Sequence, residues 1–280
     1  MDKLYVVIPA YNERENIQNI IEQWYQVVAR TGPESRLVIV NDGSKDDTWE
    51  IMKACQEGRP QFLPLTKENG GHGAAVLYGY QYALEAGADY IFQTDSDGQT
   101  LPEEFWPFWE LRGQYDMIIG NRNHRQDGFS RVVVTKVLKL VVLLCFGVRA
   151  ADVNTPFRLM SAGTMKEILP LIPKDFFLSN VLLVVFYMKK KHSVKYLPIT
   201  FRPRQGGVNS INLRKIFKVG KKALGDFWKI NRSLKNKGVA LAKWGRITER
   251  KQKGGTKDGA DVGHAGNAPG KSGRAGNSGL

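Results

Sequence analysis

The sequence predicts an α/β layered domain in which strands and helices alternate over the first two thirds of the chain. Three observations carry that expectation. Short apolar runs recur at Leu4–Ile8, Leu37–Val40, Phe62–Leu65, Tyr90–Thr94 and Met117–Gly120. The segments between them show helical spacing or small-residue helix-forming stretches. Polar or glycine-rich clusters follow the runs, and in open α/β sheets ligands bind outside the carboxyl ends of strands. All of these clusters are therefore expected to gather on one rim.

Taken in order, Leu4–Ile8 reads as a buried strand. The helix after Asn12 places Ile17, Ile20, Ile21, Trp24, Val27 and Val28 on one face, and Asn12 with Glu15 forms the pattern of a capping box. The second strand runs into Asn41-Asp42-Gly43-Ser44, where Ser44 with Asp47 is expected to open the next helix. The third leads to Asn69-Gly70-Gly71-His72-Gly73 and a small-residue helix through Ala86. The fourth ends at Asp95-Ser96-Asp97-Gly98-Gln99, and Met117–Gly120 continues the alternation.

The chain has 280 residues and a formal net charge of +14, enough length for one good core with material to spare. The charge is unevenly spread. Residues 1–201 carry 22 Lys and Arg against 23 Asp and Glu, whereas residues 202–251 carry 15 against 2. A late basic block suits a polyanion, nucleic acid or an anionic membrane, although Lys-rich ends also simply solubilise. Cys55 and Cys145 are isolated, which argues against a disulfide scaffold and for a reducing compartment. They read as small apolar packers. No signal-peptide pattern opens the chain. The apolar stretch Val132–Val148 is interrupted at Thr135, Lys136 and Lys139, leaving a run well short of the roughly 20 residues needed to span a bilayer. Val181–Met188 is shorter still.

Three regions result: a domain over 1–209, a basic amphipathic helical segment over 210–250, and a tail over 251–280. The helix expected from Ser210 places Leu213, Ile216, Phe217, Gly220, Leu224, Phe227 and Trp228 on one stripe among Arg214, Lys215, Lys218, Lys221, Lys222 and Lys229. That pattern suits the plane of an anionic bilayer, or a helix docked on the domain with its charges in water. The stretch Leu138–Phe146 offers a second interfacial element. Residues 252–280 hold nine glycines and almost no large apolar side chain, a composition expected to be disordered.

Chemistry concentrates at Asp95 and Asp97. Side chains at i and i+2 share one side of a strand, so both carboxylates can face one hard cation such as Mg²⁺, with Gln99 adding a carbonyl oxygen. Asp-x-Asp also occurs in ordinary turns; its place after a buried strand, beside other polar clusters, singles this one out. Gly71 and Gly73 either let backbone approach a ligand or start a helix. His72, a loop histidine without an evident partner, reads as surface. Tyr11 and Glu13 have plain alternatives too, a packed aromatic and a charge complementing a helix dipole.

Val7-Ile8-Pro9-Ala10-Tyr11-Asn12-Glu13, Val40-Asn41-Asp42-Gly43-Ser44-x-Asp46-x-Thr48, Asn69-x-Gly71-x-Gly73-Ala74-Ala75 and Asp95-x-Asp97-x-Gln99 together resemble family 2 glycosyltransferases. The similarity is greatest to polyprenyl-phosphate enzymes of the dolichol-phosphate mannose synthase type, and it covers roughly residues 4–210. It implies a GT-A fold, a Rossmann-like nucleotide-sugar domain with a mixed sheet flanked by helices. It also implies a nucleotide site at Pro9, Ala10, Tyr11, Glu13, Asp42, Gly73, Asp95 and Ser96. Asp95, Asp97 and Gln99 would hold Mg²⁺ or Mn²⁺ on the diphosphate, and catalytic roles would fall to Asp97, Arg122 and Asp152. Asn41 stands where the family often has Asp, and Asn154-Thr155-Pro156 replaces a more usual small-residue turn.

A hydroxyl acceptor needs a general base. The late region reads Phe176-Phe177-Leu178-Ser179-Asn180-Val181 without the Glu-Asp pair of hydroxyl-acting relatives, and Asp175 is the nearby carboxylate. A phosphate monoester, with a second pKa of about 6, is already ionised and needs positive charge instead. Arg122, Arg125, Arg131, Arg158, Arg202 and Arg204 are available, and Arg grips phosphate bidentately. The resemblance favours Arg122, Arg131 and Arg204; Arg131, Arg158 and Arg204 are the expected acceptor-phosphate residues, and Arg125 fits a solvated surface better. Asp152 is expected to orient Arg158 or, for a hydroxyl acceptor, to act as base.

The expected activity is thus a metal-dependent, inverting transfer from a GDP- or UDP-sugar to a lipid phosphate, by a peripheral protein on the cytoplasmic, inner face of an anionic membrane. Transfer to a hydroxyl on a glycan or lipid is the alternative. Nucleic acid is not an expected partner, because no recognised binding motif accompanies the basic block.

Overall fold

The computed structural model describes residues 1–125, 129–174, 176–203 and 224–232, with 123–125 and 129–134 as backbone. Its centre is a seven-stranded mixed sheet of order β3-β2-β1-β4-β6-β5-β7. The strands are β1 (Leu4–Ala10), β2 (Arg36–Asn41), β3 (Phe62–Thr66), β4 (Tyr90–Gln93), β5 (Met117–Arg125), β6 (Arg158–Ser161) and β7 (Val194–Phe201). The helices are α1 (Ile17–Thr31), α2 (Thr48–Gln56), α3 (His72–Glu85), α4 (Trp106–Glu110), α5 (Phe129–Phe146), α6 (Ala162–Ile168) and α7 (Ser179–Lys189). Residues 224–232 form a further helix, α8.

The five expected strands are present, each within a few residues of its anticipated ends. β1 is buried along its whole length, as a central parallel strand covered on both faces must be. Its alternate residues serve different layers. Leu4, Val6 and Ile8 join Trp24 of α1 in one core that also holds Cys55. Val7 faces α3, where a Cβ at Gly79 would lie 2.4 Å from Val7 Cγ1. The missing side chain at position 79 is what lets α3 lie close on the sheet.

Only β6 runs against the others: it pairs antiparallel with β4 and with β5, while β5 and β7 pair in parallel. Phe157, at the entrance to β6, sits 4.7 Å from Phe92 and 5.0 Å from Phe108, both edge to face. Such pairs are worth roughly 0.5–1.5 kcal/mol each beyond their buried area. Anchored there, β6 starts on the rim where β1, β2, β4, β5 and β7 end. The segment before it, Asp152–Phe157, is thereby delivered to the same rim.

Two helix starts differ from the sequence expectation. α1 begins at Ile17 with Asn16 as its cap residue, and no side chain caps it. Asn12 instead takes a left-handed φ of 54° and its Oδ1 accepts from Lys45 N, so it is spent on a turn. Ser44 does not open α2; its Oγ accepts from Asn12 N at 3.0 Å. Asp46 takes over, accepting from Thr48 N at 3.1 Å.

Among the described residues, no helix is long and apolar enough to cross a membrane. α8 is the described part of the basic segment, and Phe227 on it is fully buried, 5.4 Å from Phe146 and 5.8 Å from Phe176. The rest of 210–250 and the tail at 251–280 lie outside the described residues.

Candidate active site at the carboxyl rim of the sheet

One half of the rim is built from four turns tied to one another. The turn after β1 is stitched to the turn after β2, because Asn12 N, Glu13 N and Arg14 N donate to Ser44 Oγ, Thr48 Oγ1 and Asp46 Oδ2. Pro9 and Ala10 are buried in β1 and Glu13 is 6% exposed. Tyr11 stands 43% exposed above them, an aromatic face presented to solvent at the rim.

Asp42, next along, is almost enclosed. Its Oδ1 accepts from Lys67 Nζ at 2.8 Å and Gly70 N at 2.9 Å, and its Oδ2 from Gly71 N at 2.7 Å. Asn69 Nδ2 adds a bond to Asp42 O. One carboxylate therefore clasps the Asn69–Gly71 turn that launches α3. Gly43 is required where the two turns meet: its φ is +65°, and a Cβ there would lie 2.8 Å from Asn69 N.

That clasp places His72, whose Nε2 lies 2.9 Å from Asp95 Oδ1. His72 is thus exposed, its side chain 47% accessible, but not without a partner. Desolvation opposes charge on the ring, but the charge and hydrogen bond of Asp95, with help from Asp97, raise its pKa above the ordinary value. Gly73, the other half of the glycine pair, is buried against chain: a Cβ would fall 2.2 Å from Phe176 O. Its close approach is to the Phe176–Phe177 backbone.

β4 ends at Gln93, one residue early, so Asp95 and Asp97 lie in the following turn and not on one strand face. The turn is closed by Thr94 and Thr100, whose hydroxyl oxygens are 2.7 Å apart, and by Gln99 N donating to Asp97 Oδ1. Ser96 is buried within it at 4% exposure. Gln99 is anchored to the end of β7, its Nε2 donating to Arg202 O while Arg202 N donates to Gln99 O.

The residues fit a divalent cation shared with a ligand. Among the described residues, no group of three His, Cys, Asp or Glu side chains could hold an ion alone. Two carboxylates in one turn, with an amide beside them, are the donor set of a hard cation that completes its shell with phosphate oxygens and water.

On the other half of the rim, Arg122 and Asp152 form a bidentate pair, Nε to Oδ2 at 2.8 Å and Nη2 to Oδ1 at 3.1 Å. Their side chains are only 7% and 5% exposed, and the guanidinium lies 5.0 Å from the Phe201 ring. Burial alone would raise the Asp152 pKa; the hydrogen bonds and charge of Arg122, with Thr155 and Asn154 N, more than offset it and hold it below the ordinary carboxylate value. Asp152 thus orients Arg122, not Arg158. A carboxylate so held is a poor proton acceptor.

Arg158 also departs from expectation. It is fully buried, donating from Nη1 to Asn180 O at 2.9 Å and from Nε to Thr155 O at 3.1 Å. Burial lowers its pKa. A guanidinium enclosed beneath the rim cannot meet an acceptor phosphate there; it ties the Asp152–Phe157 segment to the start of α7. Arg204 and Asp175 lie outside the described residues, as do the side chains of Arg125 and Arg131.

The family model described as Glycosyl transferase family 2 matches residues 5–157. The chain belongs to glycosyl transferase family 2. Among curated relatives, polyprenol monophosphomannose synthase of Mycolicibacterium smegmatis is 27% identical over 227 residues, covering 76% of this chain and 84% of the relative. Undecaprenyl-phosphate 4-deoxy-4-formamido-L-arabinose transferase of Pseudomonas savastanoi pv. phaseolicola is 25% identical over 207 residues, 69% of this chain. The chain spans 60% of that transferase's length. Among solved structures, glucosyl-3-phosphoglycerate synthase from Mycobacterium tuberculosis, in complex with Mn²⁺, UDP-glucose and phosphoglyceric acid, superposes with a TM-score of 0.59 at 14% identity. The match covers 82% of this chain and 80% of that one. The likeness establishes the fold as GT-A, the mixed sheet expected from the four motifs.

Membership of family 2 was legible in those motifs, but three features of the site were not. The clasp by Asp42, the His72–Asp95 contact and the Arg122–Asp152 pair join residues 23 to 30 positions apart. No local spacing announces such pairs. The one hint was an acidic residue heading Asp152-Val153-Asn154, since Asp152 Oδ1 also accepts from Asn154 N in a local turn.

Proposed function

We propose that this chain transfers a sugar from a nucleotide diphosphate to the phosphate of a polyprenyl lipid. The observation that carries the choice of acceptor is the Arg122–Asp152 pair. A hydroxyl needs a base, and Asp152, the carboxylate described on the acceptor half, is already committed to Arg122. A phosphate monoester is ionised at neutral pH and needs cationic neighbours, which Arg122 can provide. The relatives named for undecaprenyl phosphate and polyprenol support the same class of acceptor.

In this reading Tyr11 packs on the base, Glu13 and Ser96 line the nucleoside, and Asp95 and Asp97 face the diphosphate, with Gln99 beside them. Bound Mg²⁺ or Mn²⁺ would neutralise charge on the diphosphate as it departs. An acceptor phosphate oxygen attacks the anomeric carbon while that carbon's bond to the diphosphate oxygen breaks, and the nucleoside diphosphate leaves with the electron pair. No proton has to be removed. A single displacement of this kind inverts the anomeric configuration.

The test is the product. Full-length protein incubated with polyprenyl phosphate, Mn²⁺ and labelled nucleotide sugars should yield a lipid that releases its sugar in mild acid, as glycosyl phosphates do. An acid-stable product would place the acceptor among hydroxyls and remove this reading.

A membrane surface completes the proposal. Val137, Leu140 and Leu144 are 49%, 54% and 71% exposed along one face of α5, and Leu224 and Trp228 on α8 are 43% and 64% exposed. The two helices are joined by the Phe146–Phe227 contact and by Asn231 Nδ2 donating to Cys145 O at 2.7 Å. An apolar patch beside Lys136, Lys139 and Lys229 fits the interface of an anionic bilayer, with the protein peripheral on its cytoplasmic face. Leu144→Asp with Trp228→Asp should reduce sedimentation with vesicles containing phosphatidylglycerol by about tenfold or more. The secondary structure should be unchanged, because both side chains are largely exposed. Equal sedimentation of the variant and the wild type would exclude the patch.

A further inference from the structure

We infer that the buried guanidinium of Arg158 is a fixed positive charge beneath the rim that strengthens the hold on the donor's diphosphate without touching it. The inference rests on the donor reading above and adds to it a residue that lies outside the ligand's reach.

Chain order and register place the charge. Arg158 is the first residue of β6, so it stands at the rim end of the sheet. Its cross-strand neighbour on β4 is Gln93, two residues before Asp95. Its neighbour on β5 is Ile119, three residues before Arg122. The guanidinium, fully buried, therefore lies below the join between the two halves of the rim.

The groups around it are neutral or already committed. Its described partners are two backbone carbonyls, Asn180 O and Thr155 O. Asp152 is paired with Arg122 and Asp95 with His72. Gln93 Oε1 accepts from Tyr80 Oη. Burial pushes the hydroxyls of Tyr80, Tyr187 and Tyr196 up, so no phenolate supplies a countercharge. Asn180 Oδ1 is buried with no hydrogen-bond partner among the described residues. A charge in such surroundings is costly to keep. Neutral donors could bridge the same two carbonyls, so tying the segments together does not by itself call for a cation.

The field of that cation extends to the rim. Charge on the His72 ring is opposed first by burial and also by Arg158. Burial works against charge on Arg158 itself, and Asp152 and Asp95 are among the groups that favour it. Where water is excluded such fields are weakly screened. A diphosphate settling at the Asp95–Gln99 turn meets a positive charge already in place, with no reorganisation to undergo. Charge that develops on the departing diphosphate gains in the same way.

The experiment compares ligands that differ in charge. Affinities of uridine, UDP, guanosine and GDP for the full chain are measured by calorimetry without divalent cation, so that effects on cation binding do not enter. In Arg158→Gln the diphosphate that the wild type prefers should bind on the order of tenfold more weakly, while its nucleoside binds as before. Equal losses for nucleoside and diphosphate would overturn the inference, because a loosened rim weakens both. Arg158→Gln also removes buried hydrogen bonds, so a second variant tests the charge with Arg158 in place. Asn180→Asp keeps the shape of the side chain and the carbonyl that holds the guanidinium, and its carboxylate, ionised beside a cation at about pH 8, offsets the charge. Diphosphate affinity should again fall severalfold with nucleoside affinity and circular dichroism unchanged. Undiminished diphosphate affinity in folded Asn180→Asp would equally overturn the inference. A wild type that binds none of the four ligands would remove the donor site, and this inference with it.

Discussion

Replacing Asp97 with asparagine is expected to lower turnover roughly 10³-fold, about 4 kcal/mol of lost transition-state stabilisation, while leaving the fold intact. Asparagine keeps an oxygen able to accept from Gln99 N, as Asp97 Oδ1 does at 3.2 Å, so the turn that closes the donor site should hold. What is lost is one of the two negative charges proposed to hold the cation, and a hard cation binds carboxylates far better than amides. Three readouts separate chemistry from structure. Melting temperature should change little, nucleoside diphosphate binding without metal should persist, and the enhancement of that binding by Mn²⁺ should disappear. Intact turnover in Asp97→Asn would show that Asp97 is not a cation ligand and would return the Asp95–Gln99 turn to a purely structural part.

The second large effect is on stability. Arg122→Ala leaves Asp152 buried without its partner, at a cost of about 3–5 kcal/mol. For a domain of this size that corresponds to a fall in Tm of roughly 10 °C. The pair of substitutions Arg122→Met and Asp152→Leu removes both charges and should recover most of the loss, because an apolar pair of similar volume avoids the desolvation penalty. Turnover should not recover with it, since the guanidinium proposed to meet the acceptor is gone. If the double variant regains both stability and activity, Arg122 has no part in binding the acceptor.

The same pair sets a pH dependence. The folded pKa of Asp152 is depressed, so its contribution is fully present above the unfolded carboxylate value of about 4. It is lost as pH falls through the lower, folded value. In Arg122→Ala the unpaired carboxyl can escape its penalty by taking a proton. Burial without Arg122 raises that carboxyl above the unfolded value of about 4. The stability gap between wild type and variant should therefore begin to narrow above about pH 4 and go on narrowing as pH falls through the depressed wild-type value, measured by chemical denaturation at a series of pH values.

Legibility differed between the two halves of the site. On the donor half, Asp95, Asp97, Gln99, Asp42 and Tyr11 were readable because each follows a strand whose apolar run is unmistakable, and the strand direction fixes the rim on which they appear. Their partners were not readable. Asp42 was expected to face a base, and its carboxylate also holds a glycine turn; His72 was expected to be surface, and it reaches Asp95 because that turn aims it there. On the acceptor half, Arg122 and Asp152 were named separately, but their union depends on β6 running antiparallel between β4 and β5. Nothing in the four residues of β6 states a direction. Arg158 was misplaced for a related reason: a charged residue read in isolation is expected in water, and only its position beneath the rim, with two carbonyl groups to receive it, makes burial tolerable.

What the sequence determined by itself was the α/β alternation, the family, and the order in which chemistry-bearing turns reach the rim, because these depend on local periodicity and on motifs held within single turns. Tertiary structure alone decided which turns touch, which carboxylate is already neutralised, and which arginine is sealed from solvent. Those outcomes are set by strand direction and by the packing of Phe157 against Phe92 and Phe108. Such contacts join distant parts of the chain, and their energies arise only when water is excluded from both partners at once.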